Sequence, residues 1–285
     1  MRIGTREIGP GHQPYVICEI SGEHRHSMER MTRLINAAKE AGADSVKFQC
    51  FNPAKLAASR GGADKVLTSG PWEGMKLGDI YEATHTPRGM IVEAAAYCKE
   101  KGITWFSSAF SEGDVDFLER VDCPCYKISS FEITNIELIA KAARTGKPVI
   151  MSAGMASNEE IHTALRTFNG YLNVGLLHCV SSYPCDPRDA NLRRMTSFNG
   201  SFNYAACGFS DHTLGAETAI AAVALGADII EKHITLDRND GGLDASFSME
   251  PAEFKAMVSA IRNVYAALQP PKGDGEAIYR ELRSK

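Results

Sequence analysis

The sequence contains no run approaching the roughly 18 apolar residues of a membrane-spanning helix. Its opening, Met1-Arg2-Ile3-Gly4-Thr5, lacks the basic and then apolar stretch of a secretory signal. These absences predict a cytoplasmic protein with no membrane partner. An excess of one charge is also missing. With 31 basic against 35 acidic residues the formal net charge is −4, which gives no electrostatic footprint for nucleic acid. Any anionic ligand must then be held by a local cluster. The eight cysteines, Cys18, Cys50, Cys98, Cys123, Cys125, Cys179, Cys185 and Cys207, form no CxxC pair. Cys123-Pro124-Cys125 has the wrong spacing for a zinc site, so the expectation is buried, reduced thiols that pack as small hydrophobes. There is no internal repeat and no low-complexity tract.

What is present is a globular composition, 44% hydrophobic and 23% charged over 285 residues, enough for one large α/β domain. Short apolar runs recur, each followed by an amphipathic pattern, as parallel strands with crossover helices require. Eight strands are predicted: Tyr15–Ser21, Ser45–Cys50, Thr104–Ser108, Cys125–Ser130, Pro148–Ser152, Val174–Cys179, Ala205–Ser210 and Ile229–Thr235. Helices are predicted over Met28–Ala41, Arg88–Lys101, Ile133–Arg144 and Glu217–Leu225, each with a glycine at or just beyond its end to stop it. Eight such units favour a single closed (β/α)8 TIM barrel over an open sheet. The barrel is expected over residues 1–268, with a long insertion after the second strand (50–87) at the site mouth and a tail over 269–285.

In a barrel the carboxyl ends of the strands carry the chemistry, and here nearly every strand ends in a polar group. The first gives Glu19, the second Lys47 and Gln49, the third Ser107 and Ser108, the fourth Lys127 and Ser130, the fifth Ser152. Ser181 and Tyr183 follow the sixth, Ser210-Asp211-His212 closes the seventh, and Glu231 and His233 lie on the eighth. Lys47 with Gln49, and Glu231 with His233, stand two apart and so share a face of their strand. His212 and His233 on neighbouring strands either bind a divalent metal or serve as hydrogen-bonded strand ends. Lys47 and Lys127 suit a phosphorylated carboxylate, against the plainer reading that they pair with Glu19 or Glu132. His24, His26 and His85 are expected to face solvent, Trp72 and Tyr81 to anchor the insertion, His178 to be a satisfied core histidine, and Gly241-Gly242 to form a turn.

Ile17-Cys18-Glu19-Ile20-Ser21, Gly42-Ala43-Asp44-Ser45-Val46-Lys47-Phe48-Gln49 and Tyr126-Lys127-Ile128-Ser129-Ser130-Phe131-Glu132 resemble the synthases of N-acetylneuraminic (sialic) acid. So do Ser182-Tyr183-Pro184, Gly208-Phe209-Ser210-Asp211-His212-Thr213 and Glu231-Lys232-His233. The resemblance runs from about residue 14 to about residue 268. Pseudaminic acid synthases are the most similar subfamily, from Trp72-Glu73-Gly74, Tyr81 with Thr86-Pro87, Asp240-Gly241-Gly242-Leu243-Asp244 and Phe247-Ser248-Met249-Glu250. The resemblance implies a metal-dependent transferase that condenses phosphoenolpyruvate with an N-acetylated amino-sugar aldehyde, giving a nonulosonic acid and phosphate. His212 and His233 match the metal ligands, for Mn2+ or alternatively Mg2+ or Co2+. Lys47, Ser108, Lys127, Ser130, Ser152, Ser181 and Ser210 match the phosphoenolpyruvate site, and Glu19, Gln49, Tyr183 and Asp244 match the sugar site. Glu19, Lys47, Lys127 and Glu231 are the candidate catalytic groups.

Gly22-Glu23-His24-Arg25-His26 departs from the family's usual Asn-His-Asn-Gly, Ser108 stands where threonine is usual, and Ser181 where asparagine is frequent. The family normally carries a C-terminal antifreeze-like domain whose arginine enters a partner's sugar site. The expected partners are therefore a second copy, in a homodimer through the barrel, and a separately encoded antifreeze-like domain. Two other readings stay open: a binding barrel that works only with such a domain, and a metal-dependent aldolase of another substrate.

Overall fold

In the computed structural model, which describes residues 1–271 and 280, a small antiparallel hairpin of β1 (Arg2–Ile3) and β2 (Arg6–Glu7) precedes the barrel. The barrel strands are β3 (Tyr15–Glu19), β4 (Ser45–Cys50), β5 (Thr104–Ala109), β6 (Tyr126–Ile128), β7 (Val149–Ser152), β8 (Val174–Cys179), β9 (Ala206–Asp211) and β10 (Ile229–His233). Each is parallel to the next, and β10 pairs back with β3, closing the circle. The strands are buried almost throughout because one face packs in the barrel and the other under helices. The eight-stranded TIM barrel expected from the sequence is the observed fold.

Local chemistry explains the helix limits. Ser27 caps Met28–Glu40 by accepting from the Arg30 N–H, Asn135 caps Ile136–Arg144 through the Leu138 N–H, and Ser157 and Glu160 form a reciprocal capping box on Asn158–Leu165. Arg88–Lys101 stops at Gly102, whose φ of +66° is left-handed.

Three strands end earlier than expected, and in each the polar terminus leaves the ladder for another partner. The first stops at Glu19, after which Ser21 adopts φ +48° and its N–H donates to Glu19 Oε1 at 3.0 Å. The fourth stops at Ile128, because the Ser129 hydroxyl turns to Glu132 and Ser130–Glu132 forms a 3-10 turn; the following helix begins at Ile136 rather than Ile133. The eighth stops at His233, and Thr235 donates its N–H to the Met249 carbonyl at 3.0 Å. Of the tail expected over 269–285, only 269–271 and Arg280 fall within the described residues.

Register positions the site. His233 lies beside Glu19, Glu19 beside Lys47, Gln49 beside Ser108 and Ser108 beside Lys127. Alternation then sends Lys232, between Glu231 and His233, to the outer face, where it forms a buried ion pair with Asp211 at 2.7 Å. Between β4 and β5 the insertion contributes helices Pro53–Ser59 and Leu77–Thr84, which pack on each other over the mouth.

Gly208 on β9 is where backbone meets backbone: a Cβ there would sit 2.1 Å from the Ile229 carbonyl oxygen on β10. Gly208→Ala should therefore cost about 1–3 kcal/mol by overpacking, read as a lowered urea midpoint with unchanged slope. An unchanged midpoint would contradict the close approach.

Candidate active site

All the site residues expected from the sequence line one cavity of about 600 Å³ at the carboxyl ends of the strands. Ser107 is the exception among the strand-end hydroxyls, since it turns away and donates to the Phe48 carbonyl at 3.1 Å.

The floor is a charge quartet. Glu231 Oε1 accepts from Lys47 Nζ at 2.9 Å, from Lys127 Nζ at 3.1 Å and from Ser210 Oγ at 3.0 Å, and Lys47 also pairs with Glu19 Oε2 at 2.8 Å. All four ionisable side chains are 5% exposed or less. Burial opposes charge on Glu231, but Lys127 and Lys47 outweigh it and hold the carboxyl well below the usual range. For Glu19 burial wins over Lys47 and the carboxyl is raised. Lys47, facing two carboxylates, is held protonated despite burial, whereas burial lowers Lys127. The lysines thus form the structural network considered from the sequence, with Glu19 and Glu231 as partners. Glu132 instead pairs with Arg60 of the insertion.

Around the quartet lie Ser108, Ser130, Ser152, Ser181 and Ser210. The Ser152 hydroxyl is buried with no hydrogen-bond partner, and Ser130 Oγ accepts from the Gly154 N–H at 3.1 Å. Gly154 is needed there, since a Cβ would lie 2.8 Å from Ser130 Oγ and from Cys179 Sγ.

His212 and His233 converge, as their places on neighbouring strands suggested, with ring centroids 5.7 Å apart. Burial depresses both, His212 to about 4 and His233 well below its ordinary value, so both are neutral imidazoles. His212 Nδ1 donates to the Val180 carbonyl at 2.7 Å, which fixes the ring and leaves Nε2 with a lone pair. His233 Nδ1 is buried without a partner. Two oriented, neutral, under-satisfied imidazoles are a chemically suitable donor pair for a divalent cation, although no group of three or more His, Cys, Asp or Glu gathers around one point among the described residues.

Beyond β3 a second network forms. Gln49 Nε2 donates to Glu19 Oε1 and to Ser21 Oγ, both at 3.0 Å, and Ser21 Oγ donates to Asp244 Oδ2 at 2.5 Å. Burial raises the Asp244 carboxyl to about 7 against the pull of Ser21, with Glu23 and Glu19 adding to the rise. Tyr183 packs on His212 at 4.3 Å and on Trp72 at 5.7 Å between centroids. Trp72 does anchor the insertion, donating Nε1–H to the Leu243 carbonyl at 3.0 Å, yet it and Tyr81 also line the cavity.

His178 is a core histidine satisfied at one nitrogen only, Nε2 bonding the Ala190 carbonyl at 2.8 Å while Nδ1 is buried without a partner, and all eight cysteines are free and buried. His24 corrects the expectation of a solvent-facing ring: it is fully buried, because the turn at Ser21–His24 folds it onto Thr86 Oγ1 at 3.1 Å. Arg60 and Lys65, which the sequence does not mark, also line the cavity, as does Phe247, which the sequence marks only within a family motif and not as a site residue. Arg60 is placed by its ion pair to Glu132 and by stacking at 4.2 Å on Phe131, contacts between distant segments with no local signal.

Glu231→Ala would leave the buried Lys127 ammonium without a carboxylate and Lys47 with Glu19 alone, and should cost about 3–5 kcal/mol, part of which inorganic phosphate should restore in a thermal melt; a variant as stable as the parent would refute the quartet. For Asp244 the sign is that of a raised carboxyl: its stabilising contribution is present below 3.8 and is lost as pH rises through about 7. Asp244→Asn should therefore gain on the parent in melting temperature between pH 5 and pH 8, and a pH-independent difference would contradict this.

Comparison with known proteins agrees with this geometry. The NeuB family model matches residues 34–272. Pseudaminic acid synthase of Campylobacter jejuni is 38% identical over 278 residues, covering 97% of this chain and 79% of its own. Pseudaminic acid synthase of Helicobacter pylori is 36% identical over 258 residues, covering 90% and 75%. Among solved structures, N-acetylneuraminic acid synthetase from Leptospira borgpetersenii superposes with a TM-score of 0.86 at 30% identity, covering 99% of this chain and 94% of that one. The chain belongs to the NeuB family.

Proposed function

We propose that this protein condenses phosphoenolpyruvate with an N-acetylated amino-sugar aldehyde, releasing phosphate and forming a nonulosonic acid of the sialic or pseudaminic type. The observation that carries the proposal is the meeting of Lys47 and Lys127 on one carboxylate oxygen, beneath a ring of serine hydroxyls and beside two neutral histidines. Relatives named as pseudaminic acid synthases support it.

In this reading phosphoenolpyruvate lies over Lys47 and Lys127, which offset its charge, while Ser108, Ser130, Ser152, Ser181 and Ser210 offer hydroxyls to its oxygens. The sugar lies toward Gln49, Tyr183 and Asp244. Carbon three of the enol phosphate forms a bond to the aldehyde carbon, water adds at carbon two, and phosphate departs with the oxygen that linked it. Glu19, ion-paired to Lys47 and bonded to Gln49, stands between the two substrates and is the candidate for proton transfer at the sugar hydroxyl or the water. Glu231 keeps both ammonium groups in place.

His212 and His233 would hold a divalent cation, Mn2+ in first place with Mg2+ or Co2+ as alternatives. When bound it supplies Lewis-acid polarisation of the aldehyde oxygen. We place the protein in the cytoplasm, where phosphoenolpyruvate is supplied; among the described residues no helix is long and apolar enough to cross a membrane. Phe131, Met155 and Leu214 are exposed on loops after β6, β7 and β9, which supports a protein partner at the mouth, either a second copy or a separate antifreeze-like domain.

The test is phosphate release from phosphoenolpyruvate with Mn2+ and a panel of 2-acetamido and 2,4-diacetamido hexoses, before and after chelation. Release should require one sugar and the metal, and Lys127→Met should lower kcat/KM by on the order of 10²–10³. No release with any sugar, or release indifferent to the variant, would refute the reading.

A further inference from the structure

The loop joining β3 to the first barrel helix has three non-glycine residues at left-handed φ within six positions: Ser21 at +48°, Arg25 at +46° and His26 at +53°. L-residues rarely adopt this conformation, so the loop keeps its shape only because its side chains are held from outside. The holding partner is the segment after β10. Glu23, fully buried, lies at the centre: Oε2 accepts from Thr235 Oγ1 at 2.6 Å and faces Arg30 at 3.6 Å, while Oε1 accepts from the backbone N–H of Asp244 at 3.3 Å. Arg25 and Arg30 both form ion pairs with Asp240, and Arg30 Nε donates to the Glu23 carbonyl at 2.5 Å.

The fit of this clamp explains the second glycine of the Gly241-Gly242 turn. At Gly242 a Cβ would lie 2.2 Å from Glu23 Oε1, so only glycine lets the carboxylate reach past it to the Asp244 N–H. Asp244 is thereby gripped twice, at its N–H by Glu23 and at its carboxyl by Ser21. Asp244 lines the cavity and Glu23 does not.

We propose that Glu23 is a positioning residue for the sugar: its carboxylate fixes the 240–244 loop so that Asp244 meets the sugar at a set height, although Glu23 itself never touches substrate. The inference rests on the proposed synthase reading for the identity of the ligand, but the clamp itself does not. A carboxylate suits the site because each of its oxygens faces a donor-only group, the Arg30 guanidinium at Oε2 and the Asp244 N–H at Oε1. Glutamine would turn its own amide N–H groups on one of them and leave a buried donor without an acceptor.

The decisive experiment pairs steady-state kinetics with amide hydrogen exchange on Glu23→Gln and Gly242→Ala. Glu23→Gln should raise KM for the sugar by about tenfold, the cost of one buried donor left unpaired, with KM for phosphoenolpyruvate within about twofold of the parent. Exchange in 237–244 should quicken while β4 and β5 stay protected. Gly242→Ala approaches the same contact from the other side and should act alike; once Glu23→Ala has removed the carboxylate, the methyl added by Gly242→Ala has room, so the double variant should be no worse than Glu23→Ala alone. An unchanged sugar KM in folded Glu23→Gln, an equal rise in both KM values, or strictly additive effects would overturn the positioning role. If the parent releases no phosphate with any sugar, the synthase reading fails, and exchange alone then decides the clamp: unaltered exchange in 237–244 overturns it.

Discussion

A single oxygen, Oε1 of Glu231, accepts from Lys47, Lys127 and Ser210 at once. Two ammonium groups buried at the floor of a barrel would repel each other and lose hydration that no apolar neighbour can replace. One carboxylate between them, with a second at Glu19, makes the floor electrically balanced. A balanced floor tolerates burial, and burial strengthens the field that the lysines present to an anion above them. The neutrality of His212 and His233 follows from the same enclosure, since burial disfavours positive charge on both rings, with Lys127 adding to the effect at His212 and Lys47 at His233.

The cavity is divided accordingly. Its barrel side carries the charge quartet, the serines and the histidines, all at strand ends whose spacing the sheet register fixes. Its other side is formed by the insertion, with Leu56, Leu67, Trp72, Leu77, Ile80 and Tyr81 as a largely apolar wall and Arg60 and Lys65 among them. The wall is tied to the barrel by separate contacts: Arg60 to Glu132, and Trp72 to the Leu243 carbonyl. Such a division suits a small anion at the floor and a larger, partly apolar co-substrate under the roof.

The strand-end residues were legible because two physical rules leave a local trace. Alternation put Lys47 with Gln49 and Glu231 with His233 on one face, and apolar strands have no packing reason to end in serine, lysine or histidine. Where the strands stop was less legible, because Ser21, Ser129 and Thr235 satisfy their backbones or hydroxyls through partners that sequence alone does not reveal. Contacts across long separations were not legible at all. Glu23 reaches Thr235 and Asp244, Arg60 reaches Glu132, and His24 is buried by the turn that Glu23 anchors. Each of these charged or polar residues, read locally, looks like an ordinary surface side chain, and for Glu23 only closure of the barrel, which brings β3 beside β10, joins the loops concerned.

The central claim is that Lys47 and Lys127 form one anion cradle whose charge Glu231 balances. Titration calorimetry of phosphoenolpyruvate into the parent and into Lys47→Met and Lys127→Met, at two salt concentrations and without sugar, tests it most directly. The account predicts a single site in the parent, affinity reduced at least about tenfold in each variant as a charge-assisted contact is lost, and little salt dependence because the site is buried. Equal affinity in parent and variants would contradict it.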